Sequence, residues 1–220
     1  MWPVAHVTTM DAPKEEPTVA RRTTWLPLEE VEGMERRLRS LLETPIATTR
    51  PRGGLMLTGH HPADALMKAL RREHVSYELF PHPHTETALA EAEALHEDPH
   101  HVAKTLILRT PFGYVRAVLR AVDRLDLEKA RHVLRTADIV LASEEDLVGA
   151  YPEFELGAVP PVGGAYDRVL VDQRVFDDRF VVFDAGTHDE SIRLHVGDLL
   201  TLAEAEVADL AEEHEGKGTS

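Results

Sequence analysis

The sequence predicts a mixed α/β fold, on three observations. About seven short apolar or alternating runs are interspersed with helical stripes between residues 60 and 213. Their connections are too short for right-handed crossovers between every strand pair, so several pairs must be antiparallel. The hydrophobic fraction, 43%, is that of an ordinary globular chain and can supply a core.

The elements follow in order. Residues 1–24, rich in Pro, Thr and charge, read as a flexible leader. From Pro27 to Glu43, Leu28, Val31, Met34, Leu38, Leu41 and Leu42 recur at spacings of three and four, which predicts an amphipathic helix. Thr48–Gly54 is a linker, and residues 1–60 form an extension to a domain over 61–215. A helix is expected over Pro62–Glu73, a strand over Val75–Phe80, and a helix capped by Thr85 through Leu89, Ala92 and Leu95. Strands Val102–Arg109 and Tyr114–Val122 flank the turn Thr110-Pro111-Phe112-Gly113. Asp126 is placed to cap a helix over Leu127–Arg135, and Ser143 one over Glu144–Val148, with a short strand at Ile139–Ala142 between them. After a Gly/Pro loop at Gly157–Gly164 come strands Asp167–Asp172, Arg179–Asp184 and Ser191–His195. A final helix is expected from Gly197 to about Glu213. Its acidic run, without one Lys or Arg, reads as a solvated face.

Composition excludes several functions. Without cysteine there is no disulfide framework, thiol nucleophile or zinc ribbon. A net charge of −15 argues against coating long stretches of phosphate backbone, although a local basic pocket could hold one end of a nucleic acid. No apolar run is long enough to span a bilayer, and the N-terminus lacks a secretory pattern, so a soluble cytoplasmic protein without membrane contact is expected.

Four features could carry chemistry. Period two puts Lys104 on one strand face with Val102, Leu106 and Leu108, where an ammonium must snorkel, pair or line a cavity. In Gly157–Gly164, Pro160 and Pro161 stiffen a segment whose glycines permit close backbone approach; it is either a tight surface connection or a ligand loop. Asp184-Ala185-Gly186-Thr187-His188 ends a strand and puts His188 at the sheet rim. The thirteen histidines include His82-x-His84 and His96-x-x-x-His100-His101, which match no specific ligand signature, so no metal is expected. Lys104 to Arg135 is net positive inside an acidic chain, and no GxSxG elbow, Walker A loop or GxGxxG follows a strand.

Taken together, the helix before Val102-Ala103-Lys104-Thr105-Leu106, the segment from Asp123 to Lys129, the loop Gly157-Ala158-Val159-Pro160-Pro161 and the turn Asp184–His188 running into Ile192-Arg193-Leu194 resemble the YbaK / prolyl-tRNA synthetase-associated editing domain family. The resemblance covers about residues 62–212. It implies a YbaK/ProX-like fold: a central mixed, largely antiparallel, barrel-like sheet of about seven strands flanked by helices. The implied activity is trans-editing hydrolysis of mischarged aminoacyl-tRNA at its 3′ end, without cofactor or metal. The alternative is a non-catalytic module binding tRNA ends, a nucleotide or a synthetase. By resemblance Lys104 engages the phosphate of the terminal adenosine, and Gly157 and Pro161 join it as catalytic residues. Thr105, Ala158, Val159, Pro160, Gly186 and His188 contact the substrate. The implied partners are aminoacyl-tRNA and a synthetase, the chain being a monomer or homodimer. Thr105 matches the branch acting on cysteinyl-tRNA(Pro), whereas Tyr151-Pro152-Glu153-Phe154-Glu155 departs from the Thr-Gly pair many members carry before the loop.

Overall fold

The computed structural model describes residues 63–164 and 167–213. The expected leader, the amphipathic helix over Pro27–Glu43 and the linker lie outside the described residues. The elements are α1 (Asp64–Arg72), β1 (Tyr77–Pro81), α2 (Ala88–Leu95), β2 (Ala103–Thr110), β3 (Gly113–Arg120), α3 (Leu127–Leu134), β4 (Val140–Leu141), α4 (Glu144–Ala150), β5 (Arg168–Asp172), a 3-10 turn (Gln173–Asp177), β6 (Phe180–Thr187), β7 (Glu190–His195), α5 (Val196–Ala203) and β8 (Glu206–Ala208).

Local chemistry explains the boundaries. Gly113 closes the β2–β3 hairpin at φ +119°, a conformation that disfavours any side chain. Asp126 caps α3 by accepting from the Glu128 and Lys129 N–H groups, and Ser143 with Asp146 forms a reciprocal capping box on α4. The cap of α2 is Thr87, not the expected Thr85: its hydroxyl accepts from the Ala90 N–H, while Thr85 is buried and donates its N–H to the His188 carbonyl.

The strands form two sheets, which corrects the expected barrel-like sheet of about seven strands. One has the order β1-β7-β6, antiparallel throughout; the other has the order β4-β2-β3-β5-β8, in which β3–β5 and β5–β8 are parallel. Between the two, the described residues show a single parallel bridge, Val102 with Val182, so the sheets meet at a corner and no ladder continues around. Closure would need a continuous register across that junction. The second correction concerns the C-terminal helix. It stops at Ala203 because Glu204 turns left-handed at φ +47°, and the acidic run continues as β8. Leu210 and Ala211 donate their backbone N–H groups to the buried Asp172 carboxylate, which ties this segment to the end of β5.

Alternation along β3 divides the core. Val118 faces a cluster with Leu66 and Leu70 of α1, Phe176, Phe183, Ile192 and Leu194, whereas Ala117 and Leu119 face Ala130 and Val133 of α3. The central strand is thus covered on both faces, as its near-continuous apolar sequence requires. A smaller cluster of Ile107, Tyr151, Phe154 and Val159 anchors the Gly/Pro loop against β2.

Candidate active site

A cavity of about 370 Å³ opens where the first turn of α2, the middle of β2, the Gly/Pro loop and the end of β6 converge. It is lined by Glu86–Leu89, Ala103–Leu106, Ala121, Gly157, Val159, Pro160, Phe183, Asp184 and His188. Six of the sequence-derived candidates therefore share one hollow: Lys104, Thr105, Gly157, Val159, Pro160 and His188. The other three do not line it. Ala158 is buried behind the loop, Gly186 gives its carbonyl to the Glu155 N–H, and Pro161 lines a second cavity with Lys68, Arg72 and Arg116.

Lys104 is half-buried, and its Nζ donates to the Ala121 carbonyl at 2.9 Å. Burial pulls its pKa below the ordinary lysine value, the Asp123 carboxylate pushes back up, and Arg124 adds a further downward pull. An ammonium carries three donors, so a partly desolvated one that gives a hydrogen bond to a carbonyl can also meet an anion in the cavity. The first turn of α2, which also lines the cavity, adds the partial positive charge of a helix N-terminus.

The loop is built to keep its backbone in place. Gly157 sits at φ +94°, and a Cβ there would lie 3.5 Å from the His188 imidazole. His188 in turn is fixed by its own N–H to Glu155 Oε2 (2.7 Å), by Nε2 donating to the Leu156 carbonyl (2.8 Å), and by an edge contact with His84. Behind the loop the guanidinium of Arg116, 1% exposed, donates to the carbonyls of Pro160 and Gly163, both at 2.8 Å, and to Asp167 at 3.1 Å. The Tyr151 hydroxyl donates to the same Asp167 carboxylate, and burial followed by that hydrogen bond raises the Tyr151 pKa.

Sequence reasoning passed over Arg116, which looked like one cation among several in a basic stretch, and Asp184, which was noticed only as the start of a turn. It also passed over Glu91. The signal for Glu91 was its place on the apolar stripe of α2, one residue before the buried Ala92. Among the described residues, potential ligand atoms of His82, Glu91 and Asp184 lie within 4.8 Å of one another. The Ser191 hydroxyl bridges the first two by hydrogen bonds, and Asp184 lies beside them. The other histidines singled out by spacing act elsewhere: His96 ends α2 in a left-handed turn, His100 pairs with Asp98, and His101 with Asp178.

Among the described residues no helix is long and apolar enough to cross a membrane. No curated protein matches the chain. Among solved structures, it is similar to a candidate trans-editing enzyme for prolyl-tRNA synthetase at 26% identity and a TM-score of 0.63, over 72% of this chain and 100% of that one. A scaffold from computational epitope grafting gives 25% identity and a TM-score of 0.62, over 70% and 98% of the two chains. A hypothetical protein at 20% identity, with a TM-score of 0.63 over 68% and 100%, shares the fold. The aminoacyl-tRNA editing domain model matches residues 82–202, a span that contains the lysine strand, the Gly/Pro loop and the His188 turn. The chain belongs to the aminoacyl-tRNA editing domain family.

Proposed function

We propose that this protein is a trans-editing hydrolase that removes the amino acid from mischarged aminoacyl-tRNA. The observation that carries the reading is the convergence of the Lys104 ammonium and the Gly157–Pro160 backbone on one cavity. Its volume, about 370 Å³, lies in the range of small-ligand pockets and suits an aminoacyl group with part of its ribose.

The chemistry asks for little more. An aminoacyl ester is already activated, so positioning and electrostatic stabilisation supply most of the acceleration. In this reading Lys104 holds the phosphate of the terminal adenosine as a compact point charge. Gly157, Val159 and Pro160 form the wall that confines the amino acid, and His188 with Thr105 shapes its ends. Water adds to the carbonyl carbon, with the neighbouring ribose hydroxyl or a backbone-held water guiding it, and the ribose oxygen leaves as the alcohol. No metal or other cofactor enters the scheme. A body with net charge −15 offers little surface for reading a whole tRNA, so an aminoacyl-tRNA synthetase is proposed to supply tRNA selection, in the cytoplasm.

The test is a panel of cysteinyl-, alanyl- and seryl-tRNA carrying the wrong amino acid for their anticodon. At least one is expected to be deacylated well above its spontaneous rate. Uniform survival of the panel, with tight binding of a non-hydrolysable aminoacyl-adenosine, would instead support the binding module.

A further inference from the structure

A hydrogen-bonded path runs from the edge of the domain to Glu91, whose carboxyl lies within 4.8 Å of the Asp184 carboxyl in the cavity wall. His82 follows β1, Ser191 lies on β7, Glu91 on α2 and Asp184 on β6, directly across the ladder from Ser191. His82 Nδ1 is 2.9 Å from the Pro83 carbonyl, His82 Nε2 is 2.8 Å from Ser191 Oγ, and Ser191 Oγ is 2.5 Å from Glu91 Oε1.

Proton accounting constrains this chain. The Pro83 carbonyl can only accept, so His82 Nδ1 carries a hydrogen. Ser191 has one hydrogen to give. If it donates to Glu91, His82 Nε2 must donate to the serine, and the ring is an imidazolium. If it donates to His82, Glu91 must itself be a carboxylic acid donating to the serine. Both arrangements hold one proton more than a neutral histidine beside a carboxylate. They interconvert by shifting the two hydrogens that flank Ser191, with no heavy atom rearranged. Glu91 is 1% exposed, and its Oε2 has no hydrogen-bond partner; nor does the buried Oδ1 of Asp184. The two carboxyl groups offer oxygens within 4.8 Å of each other. Two such groups in a dry setting do not both ionise freely.

We propose that Asp184 is the catalytic base of the cavity, and that Glu91, Ser191 and His82 are the route by which its proton exchanges with solvent. This rests on the deacylase reading above. Asp184 takes a proton from the attacking water as the water oxygen bonds to the ester carbonyl carbon. That proton passes to the ribose oxygen as the carbon–oxygen bond to it breaks. The amino-acid carboxyl formed then gives up its own proton to Asp184, and this proton leaves through Glu91, Ser191 and His82. The sum is ester plus water to alcohol, carboxylate and one exported proton.

The electrostatics match this task. Burial and then the Glu155 carboxylate raise Asp184 to about 7, and burial with the Asp184 charge raises Glu91 to about 8, opposed by the Ser191 hydrogen bond and His188. The titratable groups around Asp184 are thus Glu91 of α2, Glu86 before it, His82 after β1, Glu155 and His188 at the loop, and Lys104 on β2. A base is most useful when its pKa lies near the working pH.

The experiment is single-turnover deacylation against pH, with infrared titration of buried carboxylic acids on the same proteins. The wild-type rate is expected to rise through a midpoint of about pH 7 as Asp184 loses its proton. Asp184→Asn should lose about 100-fold in rate and this midpoint, while still binding a non-hydrolysable aminoacyl-adenosine. Glu155→Gln, which keeps an acceptor for the His188 N–H but removes a charge, should move the midpoint to lower pH. Glu91→Gln should remove the infrared band of the acid titrating near pH 8. An Asp184→Asn enzyme with the parent's rate and pH profile would overturn the proposal and leave the deacylase reading standing, as would stoichiometric metal on His82, Glu91 and Asp184. Failure of the deacylase reading looks different: the wild type cleaves nothing, which overturns both, although the infrared band persists.

Discussion

Lys104→Met is expected to reduce deacylation by about 100-fold while leaving thermal stability unchanged or slightly higher. The two halves of that expectation have one cause. The Lys104 ammonium is partly desolvated in the folded chain, and burial is the largest influence lowering its pKa. A lysine whose folded pKa lies below its unfolded value destabilises the fold while charged. That cost is fully present below the folded pKa and disappears as pH rises past the unfolded one. At neutral pH methionine removes the cost and keeps the packed stem. What it takes away is the only lysine ammonium that lines the cavity among the described residues. A residue kept for packing would give the opposite pattern, a lower melting temperature with activity falling only in proportion to unfolded protein. Activity should be read with a saturating mischarged tRNA and again below saturation. An anchor for the phosphate raises KM, and one that also orients the ester lowers kcat.

Arg116→Met should be the most damaging single change to the fold, costing about 3–5 kcal/mol. Its guanidinium donates to the Pro160 and Gly163 carbonyls and to the Asp167 carboxylate, and it lies over the Tyr151 ring at 5.2 Å. Removing it takes the counter-cation from a carboxylate that is 11% exposed, which keeps only the Tyr151 hydroxyl of the donors described above, and takes the guanidinium from the Pro160 and Gly163 carbonyls. Calorimetry should show a fall in melting temperature of about 10 °C for a domain of this size. Arg116→Lys should recover little, because a point ammonium cannot span three acceptors in different directions. The loop should suffer with the fold: Pro160 lines the reaction cavity on one side while its carbonyl is held from the other. Below the new melting temperature the variant should still bind substrate, with a raised KM. If Arg116→Met melts with the parent, the clamp is not what holds the loop.

How much of this was legible in the sequence depended on whether the deciding interaction was local. The hairpin at Gly113 and the caps at Asp126 and Ser143 rest on neighbours within four residues and can be read directly. Lys104 and the Gly/Pro loop were legible as oddities, a cation on an oily strand and a stiff segment among glycines. Their convergence was not, since it depends on β2 and the loop meeting across some fifty residues. The division into two sheets escaped for the same reason: β3 pairs with β5, and β5 with β8, through contacts that no local pattern announces. Strand β8 was hidden by its charge. Glu204, Glu206 and Asp209 look like one solvated helical face, until the left-handed turn at Glu204 and the Asp172 carboxylate redirect the chain. His82, Glu91, Asp184 and Ser191 are each unremarkable alone, and only folding makes them a cluster.

The central claim is that the Lys104 cavity, and not the neighbouring one around Arg72 and Pro161, receives the end of an aminoacyl-tRNA. Backbone and side-chain NMR of the protein titrated with a non-hydrolysable aminoacyl-adenosine 5′-phosphate tests it most directly. The expected shifts fall on Lys104, Thr105, Gly157, Val159, Asp184 and His188, with Lys68, Arg72 and Gly163 unmoved. Shifts confined to the second group, or no shift at Lys104 at saturating ligand, would contradict the account.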